Sequence, residues 1–306
     1  MVTGPEARLT FGSLPKQFTG YLVHRLADRA LLQLDQPIEQ LLPELRGSPA
    51  GTPTVRQLLQ MTSGLPGSID FLTNVRLQLG DDWMSDADLL RTIRGYGLAF
   101  SPGSAFLYSN VGYRLLAVVA TRVTKRDWPT LLREEVLEPV GMNGAGVFEP
   151  GQAMPKDLLP GHLPYRCWLL RGSPCMKQLP HWNYSALWGA GAVYARARDW
   201  LAWGRFLKRL SMEEPEFFVR YTTPYREDYG SGIENTLVPT ADGDSVRVYF
   251  HSGEAPGYFG YFAWMPDLDT TIVWLSNTDC GYTSNYRLGR ELRALVAGAA
   301  YQVVAR

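Results

Sequence analysis

The sequence has few cysteines, few histidines and no excess of either charge. Its 306 residues include 3 cysteines and 4 histidines, and 30 Lys and Arg balance 30 Asp and Glu. A small, odd number of cysteines argues against a fold that depends on a disulfide framework. A net charge of zero provides no electrostatic reason for binding nucleic acid or an anionic membrane surface, so we expect neither partner.

The sequence also lacks an apolar run long enough to span a membrane, a basic-then-apolar signal peptide and any internal repeat. It therefore predicts a cytoplasmic protein. Cys167 and Cys175 could pair, or could form a metal site with His162 and His181, but their spacing matches no zinc pattern. We predict no metal and no cofactor, with buried or free thiols.

Apolar spacing predicts helices over most of the first two thirds of the chain. After Ser13, the residues Phe18, Leu22, Leu26 and Ala30 recur at every fourth position, as on the buried face of an amphipathic helix. Further helices are predicted in TPTVRQLLQMTSGLP, where Thr54 and Gln57 make a capping box, and in NVGYRLLAVVATRVT, WPTLLREEVLEPVGM and ARDWLAWGRFLKRL. Residues 149–187, rich in proline, glycine and aromatics, are predicted to form long loops.

The last third of the chain has the character of a sheet. SVRVYFHSG, YFGYFAWMP and TTIVWLSNT are β-branched and aromatic runs separated by turn residues, which is typical of antiparallel strands. Residues 285–304 return to helical spacing. We predict one α+β domain over 1–306, with a helical subdomain at about 50–185 inserted into an α/β part formed by 1–49 and 186–306.

A serine and a lysine are separated by two residues in Ser13-Leu14-Pro15-Lys16. At a helix start, one turn places both side chains on the same side, where the amine could take the hydroxyl proton. The alternative is an ordinary N-cap, because serine often accepts a hydrogen bond from a free amide of the first turn. The motif alone favours the cap.

Two further motifs follow in order, Tyr108-Ser109-Asn110 and His251-Ser252-Gly253. With these three motifs, and with stretches such as PGSAFLYSNVGYRLLAVVATRVT and HSGEAPGYFGYFAWMPD, the chain resembles the serine beta-lactamase and penicillin-binding-protein superfamily. The resemblance covers nearly the whole chain and is greatest to the class C, esterase and D-aminopeptidase branch. It implies an antiparallel sheet flanked by helices, an all-helical subdomain beside it, and an active site between them.

The chemistry of such a site can be assigned to particular residues. Ser13 is the predicted nucleophile, Lys16 its base, and Tyr108 a group that shares the proton and passes it to the leaving group. Asn110 would hold Lys16 and a substrate amide. The alternatives are that Tyr108 is a core tyrosine and that Asn110 is a helix N-cap.

The third motif is predicted to form the opposite side of the site. The resemblance implies that the oxyanion is bound by the backbone N–H groups of Ser13 and Glu254. Gly253 would be glycine because a side chain there would crowd the substrate, and His251 would contact the substrate or simply line a strand. Four aromatic residues are candidates for the cleft wall, or pack on one another in a loop: Trp168, Trp182, Tyr184 and Trp188.

Two departures from the family pattern bear on substrate and assembly. Family members usually carry lysine where His251 stands, and a neutral histidine beside Glu254 disfavours a substrate carboxylate. A neutral ester or amide, or a substrate with a cationic amine, is favoured instead. Only 12 residues precede Ser13, whereas the family usually has a helix and two strands there. We therefore expect either a start upstream of Met1 or self-association through an incomplete sheet edge.

Three functions fit these motifs. The first is a serine hydrolase that acts through an acyl-enzyme on a small ester or amide. The second is an acyltransferase of the same chemistry, in which an alcohol or amine replaces water. The third is an inactive relative that binds a ligand or a partner.

Overall fold

The computed structural model describes residues 4, 6–68, 84–165, 175–179, 184–240, 243–278 and 291. Within these ranges the chain alternates helical and extended segments in the mixed order of an α+β protein. The α-helices are α1 (Lys16–Asp28), α2 (Val55–Leu59), α3 (Asp86–Arg94), α4 (Asn110–Thr124), α5 (Trp128–Leu132), α6 (Glu138–Val140), α7 (Ala197–Glu213) and α8 (Pro215–Thr222). A π-helical turn, Arg133–Leu137, joins α5 to α6.

The strands form three antiparallel sheets. The largest has the order β6-β7-β8-β9, a second has the order β1-β5-β2, and β3 pairs with β4. Their bounds are β1 (Leu9–Thr10), β2 (Gly146–Val147), β3 (His162–Tyr165), β4 (Cys175–Gln178), β5 (Val193–Ala195), β6 (Glu234–Pro239), β7 (Ser245–Ala255), β8 (Tyr258–Met265) and β9 (Thr270–Ser276).

Helix α1 lies in the centre of the protein. Phe18, Leu22 and Leu26, the predicted apolar stripe, are completely buried, whereas Ala30 lies beyond the helix end and is exposed. The opposite side of the helix is covered as well, since Lys16 and Gln17 are also buried. A buried helix face requires partners for its polar side chains, and the partners of Lys16 form the candidate site described below.

Local hydrogen bonds fix two of the predicted helix starts. The Thr54 hydroxyl accepts from the Gln57 amide, and the Gln57 side chain accepts from the Thr54 amide, which confirms the capping box of α2. At α4, Ser109 accepts from the amide of Gly112, three residues on. Its hydroxyl donates to the carbonyl of Pro66, which ties the helix start to the preceding loop.

Aromatic packing joins α1 to α7 and to the large sheet. Phe18 stacks on Trp200 of α7 at 5.0 Å between ring centroids and meets Trp203 edge-on at 4.8 Å. Trp200 also contacts Phe11 and Phe262, the latter on β8. Such rings bury large apolar areas and resist displacement, so α1 has a fixed position relative to the sheet.

The predicted strands of the last third are confirmed as β7, β8 and β9. The prediction of long loops for residues 149–187 was wrong in part, because β3 and β4 lie within that range. The pattern also missed β6, an edge strand whose polar residues and terminal Pro239 resemble a loop. The predicted helix at 285–304 lies outside the described residues.

The residues before Ser13 form one short strand, as expected, but it joins the small sheet. Leu9 and Thr10 of β1 pair with Ala195 and Tyr194 of β5. Within the described residues β9 pairs only with β8, so self-association through this edge stays a prediction.

Two features of the described residues concern membranes and metal ions. None of the described helices is both long and apolar enough to cross a membrane. No group of three or more His, Cys, Asp or Glu suited to a metal ion occurs in the described ranges. Cys167, Cys280 and His181 lie outside them.

Candidate active site

A cleft of about 580 Å³ lies between the end of β7 and the segment that leads into α4. It contains five of the seven predicted site residues. Lys16 and Asn110, the other two, are hydrogen-bonded to each other, and Lys16 is also bonded to Ser13. The lining residues are Ser13, Phe106, Tyr108, Glu227, Tyr229, Glu234, His251, Ser252, Gly253 and Glu254.

Ser13 lies in the turn before α1 and does not cap the helix. The N-cap position is Pro15, and no side chain makes a capping hydrogen bond there. The side chain of Ser13 is half-buried and lines the cleft. The capping alternative is therefore wrong, and the hydroxyl is available for another role.

Lys16 is completely buried beneath Ser13. Its Nζ lies 2.9 Å from the Ser13 Oγ, 2.7 Å from the Asn110 Oδ1 and 2.6 Å from the carbonyl oxygen of Ala190. Burial holds the pKa of Lys16 well below its usual range, because a charged ammonium loses its hydration there. A neutral amine would donate two protons to Asn110 and Ala190 and offer its lone pair to the Ser13 hydroxyl.

Tyr108 and Asn110 cover the same amine from the side of α4. The Lys16 Nζ is 5.0 Å from the centroid of the Tyr108 ring and 5.7 Å from that of Tyr113. Asn110 is the first residue of α4, and its neighbour Ser109 is the N-cap, so the capping alternative for Asn110 is wrong. The Asn110 side chain is thereby left to hold Lys16.

The turn that carries Ser13 packs directly on the backbone of β7. Gly12 has a φ of +53°, and a Cβ there would lie 2.1 Å from the carbonyl oxygen of Glu254. A Cβ on Gly253 would lie 1.8 Å from the carbonyl oxygen of Phe11 and 2.8 Å from the Ser13 nitrogen. The structure thus explains Gly253 without reference to a substrate, since any side chain at this position would displace the turn that carries Ser13.

This packing places the Ser13 amide beside the end of β7. The Ser13 N–H donates to no acceptor in the described part of the chain. Glu254 follows Gly253 on β7, where it pairs with Phe259 of β8. The two backbone positions expected for an oxyanion site are therefore neighbours in the structure, and their N–H groups stay a prediction as oxyanion donors.

His251 is buried, and both of its ring nitrogens have partners within the protein. Nδ1 lies 2.5 Å from the carbonyl oxygen of Ser252, and Nε2 lies 3.2 Å from the hydroxyl of Tyr229. Burial, together with the nearby charge of Lys16, lowers the pKa of His251 to about 3. The imidazole is therefore neutral, and both of its nitrogens are hydrogen-bonded within the protein.

Sequence reasoning missed several groups of the site. The Ala190 carbonyl belongs to the glycine-flanked turn WGAGAV, in which Gly189 has a φ of +80° and accepts from Thr19. Glycines on both sides were the available signal for a backbone that serves the site. Tyr229, Glu227 and Glu234 belong to no recognised motif, because they reach the cleft from the turn that precedes β6 and from the first residue of that strand.

The proposed aromatic wall has a different position. Trp188 donates from its indole nitrogen to the carbonyl of Phe148, and Tyr184 packs on the Phe148 ring at 5.3 Å. Neither lines the cleft. Trp168 and Trp182 lie outside the described residues.

The chain belongs to the Beta-lactamase family, whose profile matches residues 3–297. The resemblance predicted from the three motifs is thereby confirmed at the level of the superfamily, and so is the beta-lactamase-like fold. The D-stereospecific amidohydrolase from Streptomyces sp. superposes with a TM-score of 0.76 at 23% identity, over 90% of this chain and 84% of that one. At that identity the likeness shows the fold alone.

Two curated relatives extend the comparison. Protein flp of Staphylococcus aureus (strain MW2) is 26% identical over 291 residues, which are 91% of this chain and 54% of that protein. Penicillin-binding protein 4* of Bacillus subtilis (strain 168) is 26% identical over 288 residues, 87% of this chain and 60% of that protein. The chain therefore spans little more than half the length of the curated relatives it matches.

Proposed function

We propose that the protein is a serine hydrolase that forms an acyl-enzyme at Ser13 and acts on a small ester or amide. One observation carries the proposal: a buried amine, Lys16, lies 2.9 Å from a cleft-lining hydroxyl and is held there by two other acceptors. An alcohol requires a base within hydrogen-bond reach as it attacks, and burial favours the neutral amine that can serve as this base.

The first half of the reaction would proceed at the floor of the cleft. The Ser13 Oγ forms a bond to the substrate carbonyl carbon as its proton passes to the Lys16 Nζ, and the carbonyl electron pair moves to the oxygen. The backbone N–H groups of Ser13 and Glu254 would bind that oxyanion. Its collapse breaks the bond to the leaving group, which takes up the proton through Tyr108. Water then attacks the acyl carbon, its proton passes by way of Lys16 to the Ser13 Oγ as the ester bond breaks, and the acid is released.

Charge in the cleft supports a substrate without a carboxylate. Glu227, Glu234 and Glu254 line the cavity, and no lysine or arginine is among the described residues that do so. Three carboxylates around one opening repel an anion and attract a cation. A neutral acyl compound, or one that carries an ammonium group, fits this charge. The names of structurally similar proteins, an amidohydrolase and D-amino acid amidases, support amides as one such class.

A substrate panel tests the proposal directly. Neutral p-nitrophenyl esters, D-amino-acid amides and nitrocefin would be assayed with the intact chain, and intact mass would be followed during turnover. We expect ester or amide cleavage with an acyl adduct on the protein, and little cleavage of the anionic lactam. Cleavage without any trapped adduct, even with the slowest substrates, would oppose the acyl-enzyme.

Glu254→Gln is expected to improve turnover of a carboxylate-bearing ester relative to its neutral methyl-ester analogue. The substitution removes a negative charge at the position next to the predicted oxyanion site, and a gain of about tenfold corresponds to about 1.4 kcal/mol of lost repulsion. The kcat/KM ratio for the two substrates is the measurement. Glu216→Gln, an exposed change on α8, is the matched control. An unchanged ratio would refute a role for Glu254 in charge selection.

Acylation is expected to slow on acidification, because the reaction uses the unprotonated Lys16. Its pKa lies well below the usual lysine range, so the rate is retained at pH values at which an exposed lysine would be fully charged. His251, with a pKa of about 3, stays neutral over this range and contributes no step. A plot of the Ser13 labelling rate against pH should show a single fall in rate on the acidic side, and His251→Gln should show the same fall. A fall that disappears in that variant would assign it to the histidine.

A further inference from the structure

Tyr229 lies at the centre of a cluster of rings above the catalytic amine. It is buried, and its ring centroid is 6.1 Å from that of Tyr108 and 5.8 Å from that of His251, in edge-to-face arrangements. Tyr108 and His251 are themselves 6.3 Å apart. Each ring of this triangle thus contacts the other two, and Tyr229 packs on Phe106 as well.

The hydrogen bonds within the cluster determine the state of His251. A carbonyl oxygen only accepts, so the Nδ1 that faces the Ser252 carbonyl carries the ring proton. The other nitrogen of a neutral imidazole is then bare and accepts from the Tyr229 hydroxyl at 3.2 Å. The tyrosine therefore satisfies a buried nitrogen that would otherwise lack a donor or take up a proton.

The segment that carries Tyr229 is fastened to the helix that carries Lys16. A Cβ on Gly232 would lie 2.1 Å from the Lys16 carbonyl oxygen, and one on Gly20 would lie 1.7 Å from that of Ser231. The Ser231 hydroxyl is 3.0 Å from the His24 Nε2 on the same helix. Backbone contacts this close leave the tyrosine little freedom relative to α1.

We propose that Tyr229 is a positioning residue of this hydrolase: it fixes His251 as an uncharged ring with its proton on Nδ1, and the pair holds Tyr108 against Lys16. The proposal rests on the proposed function. It assigns His251 a different role from substrate contact, since both ring nitrogens already have partners within the protein. It also explains how the site avoids a second cation beside the amine, where a like charge would be costly.

A double-mutant cycle tests whether Tyr229 acts through the histidine. Tyr229→Phe, His251→Gln and the double variant would be compared by the rate of phosphonate labelling at Ser13 and by kcat and KM on a neutral ester. We expect each single change to lower kcat and the labelling rate about tenfold with KM little changed, and the double change to cost no more than the larger single effect.

Tyr225→Phe is the matched control. Tyr225 is an exposed tyrosine of the same turn, and the substitution likewise removes one tyrosine hydroxyl. It should label at the wild-type rate. Circular dichroism and melting would establish that each variant is folded. Losses that multiply in the double variant, or a Tyr229→Phe enzyme as fast as the control, would overturn the proposal.

The state of the ring can be measured without any activity. Long-range ¹H–¹⁵N spectra of the labelled protein should show His251 with a protonated Nδ1 and an unprotonated Nε2, the signal being assigned by its loss in His251→Gln. In Tyr229→Phe the Nε2 shift should move as its donor disappears, and in Tyr225→Phe it should not. An Nε2–H tautomer in the wild type would refute the arrangement. An unlabelled wild type with the expected tautomer would instead refute the hydrolase function and leave the ring assignment standing.

Discussion

Ser13→Ala is expected to abolish covalent labelling of the protein by a fluorescent phosphonate. The reagent reacts only with an activated hydroxyl, and Ser13 is the cleft serine that lies 2.9 Å from the buried amine. In the wild type, intact mass should increase by one adduct, and peptide mapping should place it on the segment that contains Ser13. The fold should survive, because the hydroxyl caps no helix and its loss leaves Lys16 two other acceptors.

The control is Ser101→Ala, which removes an exposed hydroxyl outside the cleft and should label as the wild type does. An adduct that persists in Ser13→Ala, or that maps to another serine, would show that the nucleophile is elsewhere. An unlabelled wild type that is folded by circular dichroism would favour the inactive ligand-binding relative.

Lys16→Met and Tyr108→Phe are each expected to slow acylation by about a hundredfold or more, a loss of about 2.7 kcal/mol of transition-state stabilisation. Methionine keeps most of the buried volume at position 16 and removes the amine. Phenylalanine keeps the ring that packs on Tyr229 and removes the hydroxyl that would carry the proton. Single-turnover labelling kinetics would give both rates.

The two losses should not multiply, because the amine and the phenol serve one proton transfer. A double variant slowed by the full product of the two effects would mean that they act independently. Lys208→Ala, which breaks an exposed ion pair with Asp269, is the control for removing a lysine. Its labelling rate should stay at the wild-type value, since exposed pairs contribute little.

Much of the fold could be predicted because the signals were local. The apolar stripe of α1, the capping box at Thr54 and the β-branched and aromatic run of β7 each depend on neighbours along the chain. The β3–β4 hairpin and β6 could not, because their residues are poor in strand formers and are extended only through pairing with a partner. Tertiary context there outweighs propensity.

The same distinction applies to the site. The first two motifs singled out Ser13, Lys16 and Tyr108, which the structure brings together, because each has a residue type that the proposed chemistry requires. The role of Ala190 was not predicted because it contributes a backbone carbonyl, which a residue with any side chain could supply. Tyr229 was not predicted because its partner, His251, lies 22 positions away, and the two meet only when β7 packs against the turn before β6.

The contact between the Gly12 turn and β7 leaves one part of the cleft lining unable to accept larger residues. On the Ser13 side, backbone meets backbone at positions 12 and 253, and even one added methyl group would fall within 2.1 Å of another atom. Elsewhere the cleft is lined by ordinary side chains, among them Phe106, Glu227, Glu234 and Glu254. Descendants of this sequence that acquire new substrates would therefore accumulate their substitutions at those side chains, and libraries built for altered selectivity belong there.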